Sequence, residues 1–465
     1  MALFGQARTS AGIQVPISAN DVALASTLAS AAYKDNRLLA SDWSALTTEL
    51  GTLASGRFDE AGYFNGSSGA AAIVLRNGNQ LVISFRGTDD SADRLQYLSL
   101  GGNSYINLFS PLLDAVSKYL AKSENAGLEV LITGHSLGGA AVNILRDVSL
   151  QTGSKYAAFK DAEYIAFASP KIAASGQIAS IGFENDGVYK YIGGYKDYAS
   201  TNDNIVVFDD AYGSSSWPGF TFDLSDTTVH SSLIYKDVMN RIASSTFYGE
   251  MDPDAPVIVV NTNLEVSDKQ VRTSDHYGKD AYFIGRDVAD NILGGAGADK
   301  MEGFGGNDTL RGQSGNDRLL GDGDVAGGIG IDGSDRLSGG VGNDTLAGGG
   351  ANDTFRFDTA LNSTTNVDRI IDFDPDDLAA AGDSFDTIEL ENAIFSRLTN
   401  TGDLAASKFA CVADETASDN GNTVTYVSSS GCLYYDTNGA SDGAAILFAK
   451  LGAGLALSSA DFIVT

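Results

Sequence analysis

The segment 134–138 (Gly-His-Ser-Leu-Gly) has the residue types and the spacing of a turn that presents a nucleophilic serine. It follows the apolar run Leu128 to Thr133 and precedes Ala140 to Leu145, whose composition and spacing favour a helix. A strand, a tight turn flanked by glycines and a helix are the setting in which a G-x-S-x-G serine is held above a sheet. We therefore predict that Ser136 is a nucleophile for acyl transfer.

A serine hydroxyl needs a general base, and the chain has only three histidines. His135 adjoins Ser136 and would point to the other side of the turn, whereas His276 lies near an expected domain boundary. His230, in a loop before the helical run Leu233 to Ile242, is the favoured base. The chain order of this arrangement is serine, acid, histidine, which places the acid between positions 136 and 230. Spacing alone leaves Asp186, Asp203, Asp209 and Asp210 open as candidates.

Seven aspartates recur with a period of nine residues in the glycine-rich stretch 285–350 and just beyond it, and the phase skips one turn at Ala326. An apolar residue follows each aspartate by two positions, which predicts short strands with inward apolar side chains and glycine turns. Carboxylates stacked in this way repel one another unless a hard dication lies between them, so the pattern predicts Ca²⁺ ligands. The aspartates are Asp290, Asp299, Asp308, Asp317, Asp335, Asp344 and Asp353, and their apolar partners are Ile292, Met301, Leu310, Leu319, Leu337, Leu346 and Phe355.

Composition excludes several classes of partner. The chain of 465 residues has 60 acidic and 30 basic residues and a net charge of -30, so nucleic acid and anionic membranes would repel it. Hydrophobic residues make up 43 % of the chain, which is enough for a sizeable core. No apolar run is long enough to span a membrane, and the first residues do not resemble a cleaved secretory peptide. We therefore expect a chain that is either cytoplasmic or exported by a route that does not use an N-terminal signal.

The first half alternates strand-like and helical runs, which favours α/β packing, and the change in composition indicates a domain boundary near residues 265–285. After Phe355, short runs that mix apolar and acidic residues predict further strands. These runs are 370–374, 386–390, 433–436, 445–448 and 461–465. Cys411 and Cys432 are either two idle thiols or one late-formed disulfide.

The chain resembles the calcium-dependent RTX lipases of bacterial family I.3, whose catalytic domains are akin to class 3 lipases. The likeness covers roughly residues 75–360, and its repeats are the nonapeptides of calcium-binding RTX proteins. Its other motifs are 84–88 (Ser-Phe-Arg-Gly-Thr), 134–139, 167–170 (Phe-Ala-Ser-Pro), 181–186, 203–206, His230 and 239–241 (Met-Asn-Arg). The resemblance implies an α/β-hydrolase catalytic domain over 1–275, an all-β parallel β-roll over 276–360 and a C-terminal β-strand region with an export signal over 361–465.

The resemblance also implies roles for single residues. Ser136 is the expected nucleophile, His230 the base and Asp186 the acid that orients it, although Gly187 stands where the family has proline. Backbone N–H groups of Thr88 and Leu137 are expected to form the oxyanion hole.

A second calcium site is implied inside the catalytic domain, with Asp203, Asn204 and Asp254 as ligands. From the residues alone, Asp203-Asn204 could equally be a turn. Such a site would fix the loop that carries His230.

These features lead us to expect a secreted, calcium-dependent esterase of triacylglycerol lipase type, acting on lipid esters at a lipid–water interface and exported by type I secretion machinery. Ser136 follows Thr88 by only 48 positions, so we expect the lids of this chain to be shorter than those of the family. The segment Arg94 to Leu100 is either a residual lid or an ordinary helix. A shortened lid keeps phospholipase A1 activity open as an alternative. A non-enzymatic calcium-binding RTX surface protein and a peptidase with the same triad are the remaining alternatives.

Overall fold

The structure is a computed structural model, and its helices and strands divide between two units. It describes residues 7–8, 14–15, 18–33, 36, 40–51, 57–59, 61–87, 104–171, 173–174, 178–183, 205–208, 231–251, 257–259, 278–323, 332–375, 385–417, 422–439 and 445–465. The helices are α1 (Ala19–Ala31), α2 (Thr47–Gly51), α3 (Ser104–Asn107), α4 (Ser110–Leu120), α5 (Leu137–Ser149) and α6 (Ser232–Ser244). The strands before residue 260 are β1 (Ala7–Arg8), β2 (Gln14–Val15), β3 (Ser44–Ala45), β4 (Tyr63–Asn65), β5 (Ala71–Asn77), β6 (Gln80–Phe85), β7 (Glu129–His135), β8 (Glu163–Phe167), β9 (Ala179–Phe183), β10 (Ile205–Phe208) and β11 (Val257–Val259).

The strands of the C-terminal part are short and follow one another closely. They are β12 (Tyr282–Arg286), β13 (Asn291–Leu293), β14 (Lys300–Phe304), β15 (Thr309–Ser314), β16 (Arg318–Asp322), β17 (Arg336–Val341), β18 (Thr345–Ala347), β19 (Thr354–Phe357), β20 (Asp368–Ile370), β21 (Thr387–Leu390), β22 (Gly402–Asp403), β23 (Phe409–Val412), β24 (Val424–Val427), β25 (Cys432–Asp436), β26 (Ala445–Lys450) and β27 (Phe462–Val464).

The first unit contains an eight-stranded sheet in which β6 to β10 lie parallel and in chain order. β5 pairs antiparallel with β6, and both β3 and β4 pair antiparallel with β5. The middle strands are rich in Val, Ile and Leu and are almost entirely buried, as expected for parallel strands that helices cover. Helix α5 follows β7 and contacts β7 and β8, which makes a βαβ unit, while α1 packs on β7 and on α6. The predicted α/β packing of the first half is confirmed.

Successive strands of the second unit alternate between two parallel sheets. β12, β14, β16, β18 and β20 neighbour one another in the first sheet, and β13, β15, β17, β19 and β21 do so in the second. The register aligns the apolar side chains, so that Ile292, Leu310 and Leu337 lie side by side in one sheet. All seven apolar residues that the repeat pattern placed inside are fully buried. The predicted β-roll is therefore confirmed.

The strands after residue 360 continue the same two sheets. β26 pairs with β20 and carries β25, β24 and β23 beyond it, whereas β27 pairs with β21. Strands predicted at 386–390, 433–436, 445–448 and 461–465 are confirmed as β21, β25, β26 and β27, whereas β20 begins and ends earlier than the predicted run 370–374. Cys411 on β23 and Cys432 on β25 are separated by β24, and both thiols are free.

The contacts between Cα atoms divide the chain into two compact units. One comprises residues 1–244 and 248–254, and the other comprises residues 245–247 and 255–465. The second unit thus includes both the repeats and the C-terminal strands. Within the part of the chain that the structure describes, the helices lack the length and hydrophobicity of a transmembrane segment.

Candidate functional site

Ser136 lies at the sharp turn between β7 and α5. The strand ends at His135, the helix begins at Leu137, and the serine between them has φ 60° and ψ -126°. A positive φ is uncommon for a residue other than glycine, and such strained serines are typical of a nucleophile turn. The strand, turn and helix predicted around Ser136 are therefore confirmed. Its side chain is buried, with 2 % of the residue exposed.

Gly134 and Gly138 allow the end of β6, the end of β7 and the start of α5 to approach one another closely. A Cβ atom on Gly134 would lie 2.6 Å from the backbone carbon of Gly138, and one on Gly138 would collide with the carbonyl oxygen of Phe85. Any larger residue at either position would push helix α5 away from the end of the sheet. The glycines thus hold Ser136 above the carboxyl ends of β6 and β7.

Leu137, one of the two predicted oxyanion donors, is the first residue of helix α5. The N–H of Leu137 belongs to the first turn of α5, where amide groups have no acceptor inside the helix and the helix dipole favours negative charge. Gly87 lies beside the serine, since a Cβ atom on it would be 2.8 Å from Cβ of Ser136. Thr88, the predicted second donor, follows Gly87 directly but lies outside the described residues.

His135 is turned into the unit, as the sequence suggested for a packed neighbour. Its Nδ1 lies 3.1 Å from the hydroxyl of Tyr33, and its ring meets the edge of Tyr235 on α6 at 5.3 Å between centroids. The residue is 3 % exposed. The side chain of His135 therefore packs inside the first unit, where its contacts with Tyr33 and Tyr235 stabilise the turn that carries Ser136.

Several predicted residues lie outside the described part of the chain, and their assignments stay predictions. They are the base His230 and its rival His276, the acid Asp186 and its rivals Asp209 and Asp210, the calcium ligands Asp203, Asn204 and Asp254, the candidate lid Arg94 to Leu100, and Ala326.

The repeat aspartates form two columns, one along each edge of the roll. At seven positions in these columns, Oδ1 of an aspartate accepts the backbone N–H of the aspartate that precedes it in the column, at 2.7 to 3.1 Å. One column runs through Asp290, Asp308, Asp335, Asp353 and Asp386, and the other through Asp299, Asp317, Asp344 and Asp368.

The other carboxylate oxygen, Oδ2, has no hydrogen-bond partner at five of these aspartates, although it is fully buried. The five are Asp308, Asp317, Asp335, Asp344 and Asp353. A buried charged oxygen without a partner is costly, and a cation removes that cost. The five oxygens are therefore the strongest candidates for metal ligands among the described residues.

Asp290 and Asp299 differ from these five. Arg286 donates to Asp290 from Nε at 2.7 Å and from its backbone N–H at 2.7 Å, so this carboxylate is already neutralised. Both oxygens of Asp299 accept backbone N–H groups, those of Ala281 and Gly295. Their predicted role as calcium ligands therefore has less structural support than that of the other five.

The surroundings of the unpaired Oδ2 atoms suit a hard cation such as Ca²⁺. A Cβ atom on Gly303 would lie directly against Oδ2 of Asp308 and 2.5 Å from the carbonyl oxygen of Gly321. Gly312 has the same surroundings, formed by Asp317 and the carbonyl oxygen of Gly339. Within the described segments, no group of three or more His, Cys, Asp or Glu side chains converges on one point. Backbone carbonyls must therefore complete the coordination, as they do at many calcium sites.

Burial raises the pKa of the five carboxyls. The pKa is about 8 at Asp308, Asp317 and Asp353, about 7 at Asp335 and about 6 at Asp344. Neighbouring carboxylates raise it further at the first three positions. Without a cation, burial therefore keeps these carboxyls protonated to a higher pH than an exposed aspartate.

The sequence reasoning missed Asp368 and Asp386, which complete the two columns. They follow the preceding member by 24 and 33 residues, so the nine-residue phase does not find them. Both nevertheless keep the local pattern of an aspartate followed two positions later by an apolar residue, Ile370 and Ile388. That triplet alone could have identified them.

A separate cavity of about 560 Å³ lies at the opposite ends of the strands of the first unit. Glu129 and Glu163, the first residues of β7 and β8, line it together with Asp21. Burial raises the pKa of Glu163 to about 7, and the carboxylates of Asp21 and Glu129 contribute. The length of β7 places this cavity roughly 20 Å from Ser136, so it is not where the serine would act.

Segments in both parts of the chain match known protein families. Residues 284–319 and 329–359 match the RTX calcium-binding nonapeptide repeat. The chain carries calcium-binding RTX repeats. Residues 82–179, which include Ser136, match the lipase (class 3) family. The resemblance to bacterial RTX lipases and the predicted Ca²⁺ cofactor are thus confirmed.

Two curated relatives from Pseudomonas fluorescens, each named lipase, are 33 % and 34 % identical over 260 and 265 residues. Each match covers 50 % of this chain, and the chain spans about half of the relatives' own lengths, 53 % and 56 %. The crystal structure of the extracellular lipase LipA from Serratia marcescens is similar over 93 % of this chain and 88 % of its own, with a TM-score of 0.50 and 22 % identity. The structural likeness shows the fold, an α/β hydrolase followed by a β-roll.

Proposed function

We propose that the protein is a secreted, calcium-dependent serine esterase that hydrolyses lipid esters of the triacylglycerol type through an acyl-enzyme. The observation that carries this proposal is the strained turn at Ser136, held between β7 and α5 with the N–H of Leu137 beside it. The similarity of residues 82–179 to class 3 lipases supports the same reaction class.

The proposed chemistry follows from these groups. Ser136 attacks the ester carbonyl while His230 accepts its proton and then returns it to the leaving alcohol, and Asp186 orients the imidazole. The N–H groups of Leu137 and Thr88 bind the oxyanion, and loss of one such donor typically costs about 3 kcal/mol of transition-state stabilisation. The acyl group on Ser136 is released by water in the second half of the reaction.

The role of calcium in the proposal is to complete the C-terminal unit. The buried Oδ2 atoms are unsatisfied without a cation, and the chain has a net charge of -30 that opposes compaction. We propose that the chain leaves the cell unfolded through type I secretion machinery and folds when calcium binds outside. The predicted ligands Asp203, Asn204 and Asp254 would act in the first unit in the same way.

The test of the reaction compares wild type with Ser136→Ala on short- and long-chain p-nitrophenyl esters in calcium. Wild type should hydrolyse both, and Ser136→Ala should lose hydrolysis by several orders of magnitude. Ser117→Ala, on helix α4, serves as the control and should keep full activity. Hydrolysis that survives Ser136→Ala would remove Ser136 from the mechanism, and no hydrolysis by any variant would favour a calcium-binding surface protein.

The substrate is tested by comparing triolein with phosphatidylcholine as emulsions of matched area. Faster release of fatty acid from triolein would support the triacylglycerol assignment. Preferential cleavage of phosphatidylcholine would replace it with phospholipase A1, the alternative that the shortened lids favour. Cleavage of peptides but of neither lipid would favour a peptidase.

A further inference from the structure

Tyr33 reaches the turn that carries Ser136 from a distant part of the chain. It follows helix α1 and lies 102 positions before His135, and its side chain is half-buried. Tyr63 on β4 holds the backbone at this point, because its buried hydroxyl lies 2.9 Å from the carbonyl oxygen of Ala31 and 3.2 Å from that of Tyr33. The backbone of Tyr33 is therefore attached to the sheet of the first unit.

Helix α1, which leads into Tyr33, is also bonded to the two strands that end beside the serine. Ser84 on β6 donates its hydroxyl to the carbonyl oxygen of Leu28 at 2.8 Å. Thr133 on β7 donates its hydroxyl to the carbonyl oxygen of Ala25 at 3.2 Å. Both donors are fully buried, where a lost partner would be costly, so these bonds fix α1 relative to β6 and β7.

The hydroxyl of Tyr33 contacts the side chain that precedes the serine. It lies 3.1 Å from Nδ1 of His135, and the two rings meet edge to face with centroids 6.1 Å apart. Because His135 is buried, protein groups rather than bulk water set the orientation of its ring. Tyr33 thus holds one end of the serine turn, which we define as residues 135–137.

The same hydroxyl borders the space beside Gly87, just after the end of β6. A Cβ atom on Gly87 would lie directly against the Tyr33 hydroxyl. It would also lie 2.5 Å from the carbonyl oxygen of His135 and 2.8 Å from Cβ of Ser136. These groups surround a space too small for a methyl group, so the Tyr33 hydroxyl touches both the segment after β6 and the serine turn.

The backbone of the serine turn needs such support. Ser136 has a positive φ of 60°, and a strained residue keeps its conformation only where its surroundings hold it. Its N–H donates to the carbonyl oxygen of Phe167 on β8 at 2.9 Å, which fixes the turn on one side. The contact between Tyr33 and His135 fixes it through the neighbouring side chain.

We propose that Tyr33 is a positioning residue: its hydroxyl binds Nδ1 of His135 and packs against Gly87, and so holds the serine turn at a fixed distance from the end of β6. The effect on catalysis rests on the proposed function, whereas the attachment itself does not. The consequence is that turnover requires the hydroxyl of Tyr33 and not only its ring.

The experiment replaces Tyr33 by phenylalanine in the full-length chain with calcium present, which keeps the ring and removes the hydroxyl. A misplacement of about 1 Å at a reacting group can cost about a hundredfold in rate, so a smaller shift of the serine turn should lower kcat on p-nitrophenyl butyrate about tenfold. KM should stay nearly unchanged, because the hydroxyl positions the nucleophile and does not bind the substrate.

Tyr164→Phe is the matched control. The hydroxyl of Tyr164, on β8 of the same unit, donates to the carbonyl oxygen of Phe159 at 2.8 Å. Both variants therefore lose one hydrogen bond of a tyrosine, and both should lower the urea midpoint of the first unit by a similar amount. Only Tyr33→Phe should lower kcat, which separates positioning from a general loss of stability.

A double-variant cycle tests whether Tyr33 acts through His135. His135→Phe keeps a ring at this position but removes Nδ1. Once His135→Phe is present, Tyr33→Phe should lower kcat no further. Losses that multiply would show that Tyr33 acts by another route and would overturn the proposal.

Hydrogen exchange gives a readout that does not require hydrolysis. Peptides that cover the serine turn should exchange about fivefold faster in Tyr33→Phe, the factor expected for loss of one hydrogen bond, and at the wild-type rate in Tyr164→Phe. Unchanged exchange at the turn, or unchanged kcat where wild type hydrolyses the ester, would also overturn the proposal. If wild type hydrolyses no ester, the proposed function fails, while the exchange measurement still tests the attachment.

Discussion

Removal of calcium should make the stability of the C-terminal unit depend steeply on pH. Five buried carboxyls, at Asp308, Asp317, Asp335, Asp344 and Asp353, have pKa values of about 6 to 8 in the folded chain, against 3.8 for an unperturbed aspartate. Their folded pKa values lie above the unfolded ones, so the folded state binds more protons than the unfolded state between these limits. The free energy of unfolding therefore falls as pH rises from about 4 to about 8.

The size of the effect follows from the five unpaired Oδ2 atoms. Each buried, unsatisfied polar atom costs about 1 to 3 kcal/mol, and five of them cost about 5 to 15 kcal/mol when the groups are ionised. That range equals the net stability of a typical domain, about 5 to 15 kcal/mol. The metal-free roll should consequently be unfolded at pH 8.5 or so and regain structure as its carboxyls are protonated.

The assay is hydrogen exchange on peptides from 300–357, expressed as protection factors that correct for the pH dependence of intrinsic exchange. Protein made metal-free by chelation and gel filtration should show low protection above about pH 8 and higher protection near pH 5, whereas calcium-loaded protein should be protected throughout. Equal protection of metal-free and calcium-loaded protein at high pH would refute the reasoning. So would metal-free protection that increases with pH.

Two substitutions test other parts of the structure. Asp335→Asn removes one buried charge and should raise the thermal midpoint of the metal-free roll at pH 8 while raising the calcium concentration needed for folding; a lower midpoint in both states would contradict this. Gly138→Ala forces a Cβ atom against the carbonyl oxygen of Phe85, should destabilise the first unit by about 1 to 3 kcal/mol and should lower hydrolysis, as measured by urea unfolding and ester assay. Gly51→Ala, where a Cβ atom meets nothing within 4 Å, is its control, and equal stability of the two variants would argue against a close approach at Gly138.

The sequence predicted those parts of the fold that local physics dictates. The nine-residue phase places an aspartate at each turn and an apolar residue two positions later, and only a coil with alternating sheets buries all of those apolar side chains. The turn at Ser136 was predictable because glycines at 134 and 138 are required by the close approach of three backbone segments. Both predictions rest on short-range geometry.

Features that depend on long-range contacts were not predictable in this way. Nothing near Glu302 in the sequence indicates that Ser245 and Thr246, more than fifty positions earlier, supply its donors. Arg286 neutralises Asp290 across only four positions, but the repeat pattern gives no sign of this pair, which makes one repeat aspartate unlike the rest. The repeat pattern shows which residue types recur, but not which of them already have partners.

The hydrogen bonds from backbone N–H groups to Oδ1 atoms all run in one direction along the roll. Each aspartate secures the amide of the one before it, so the last repeat aspartates, Asp344 and Asp353, depend on residues that the repeat does not encode. Asp368 and Asp386 supply those acceptors, and β26 and β27 continue the two sheets by pairing with β20 and β21. A fragment cut at the end of the nonapeptides would therefore end on open amide donors, which makes the C-terminal hundred residues or so the capping element of an otherwise extensible stack.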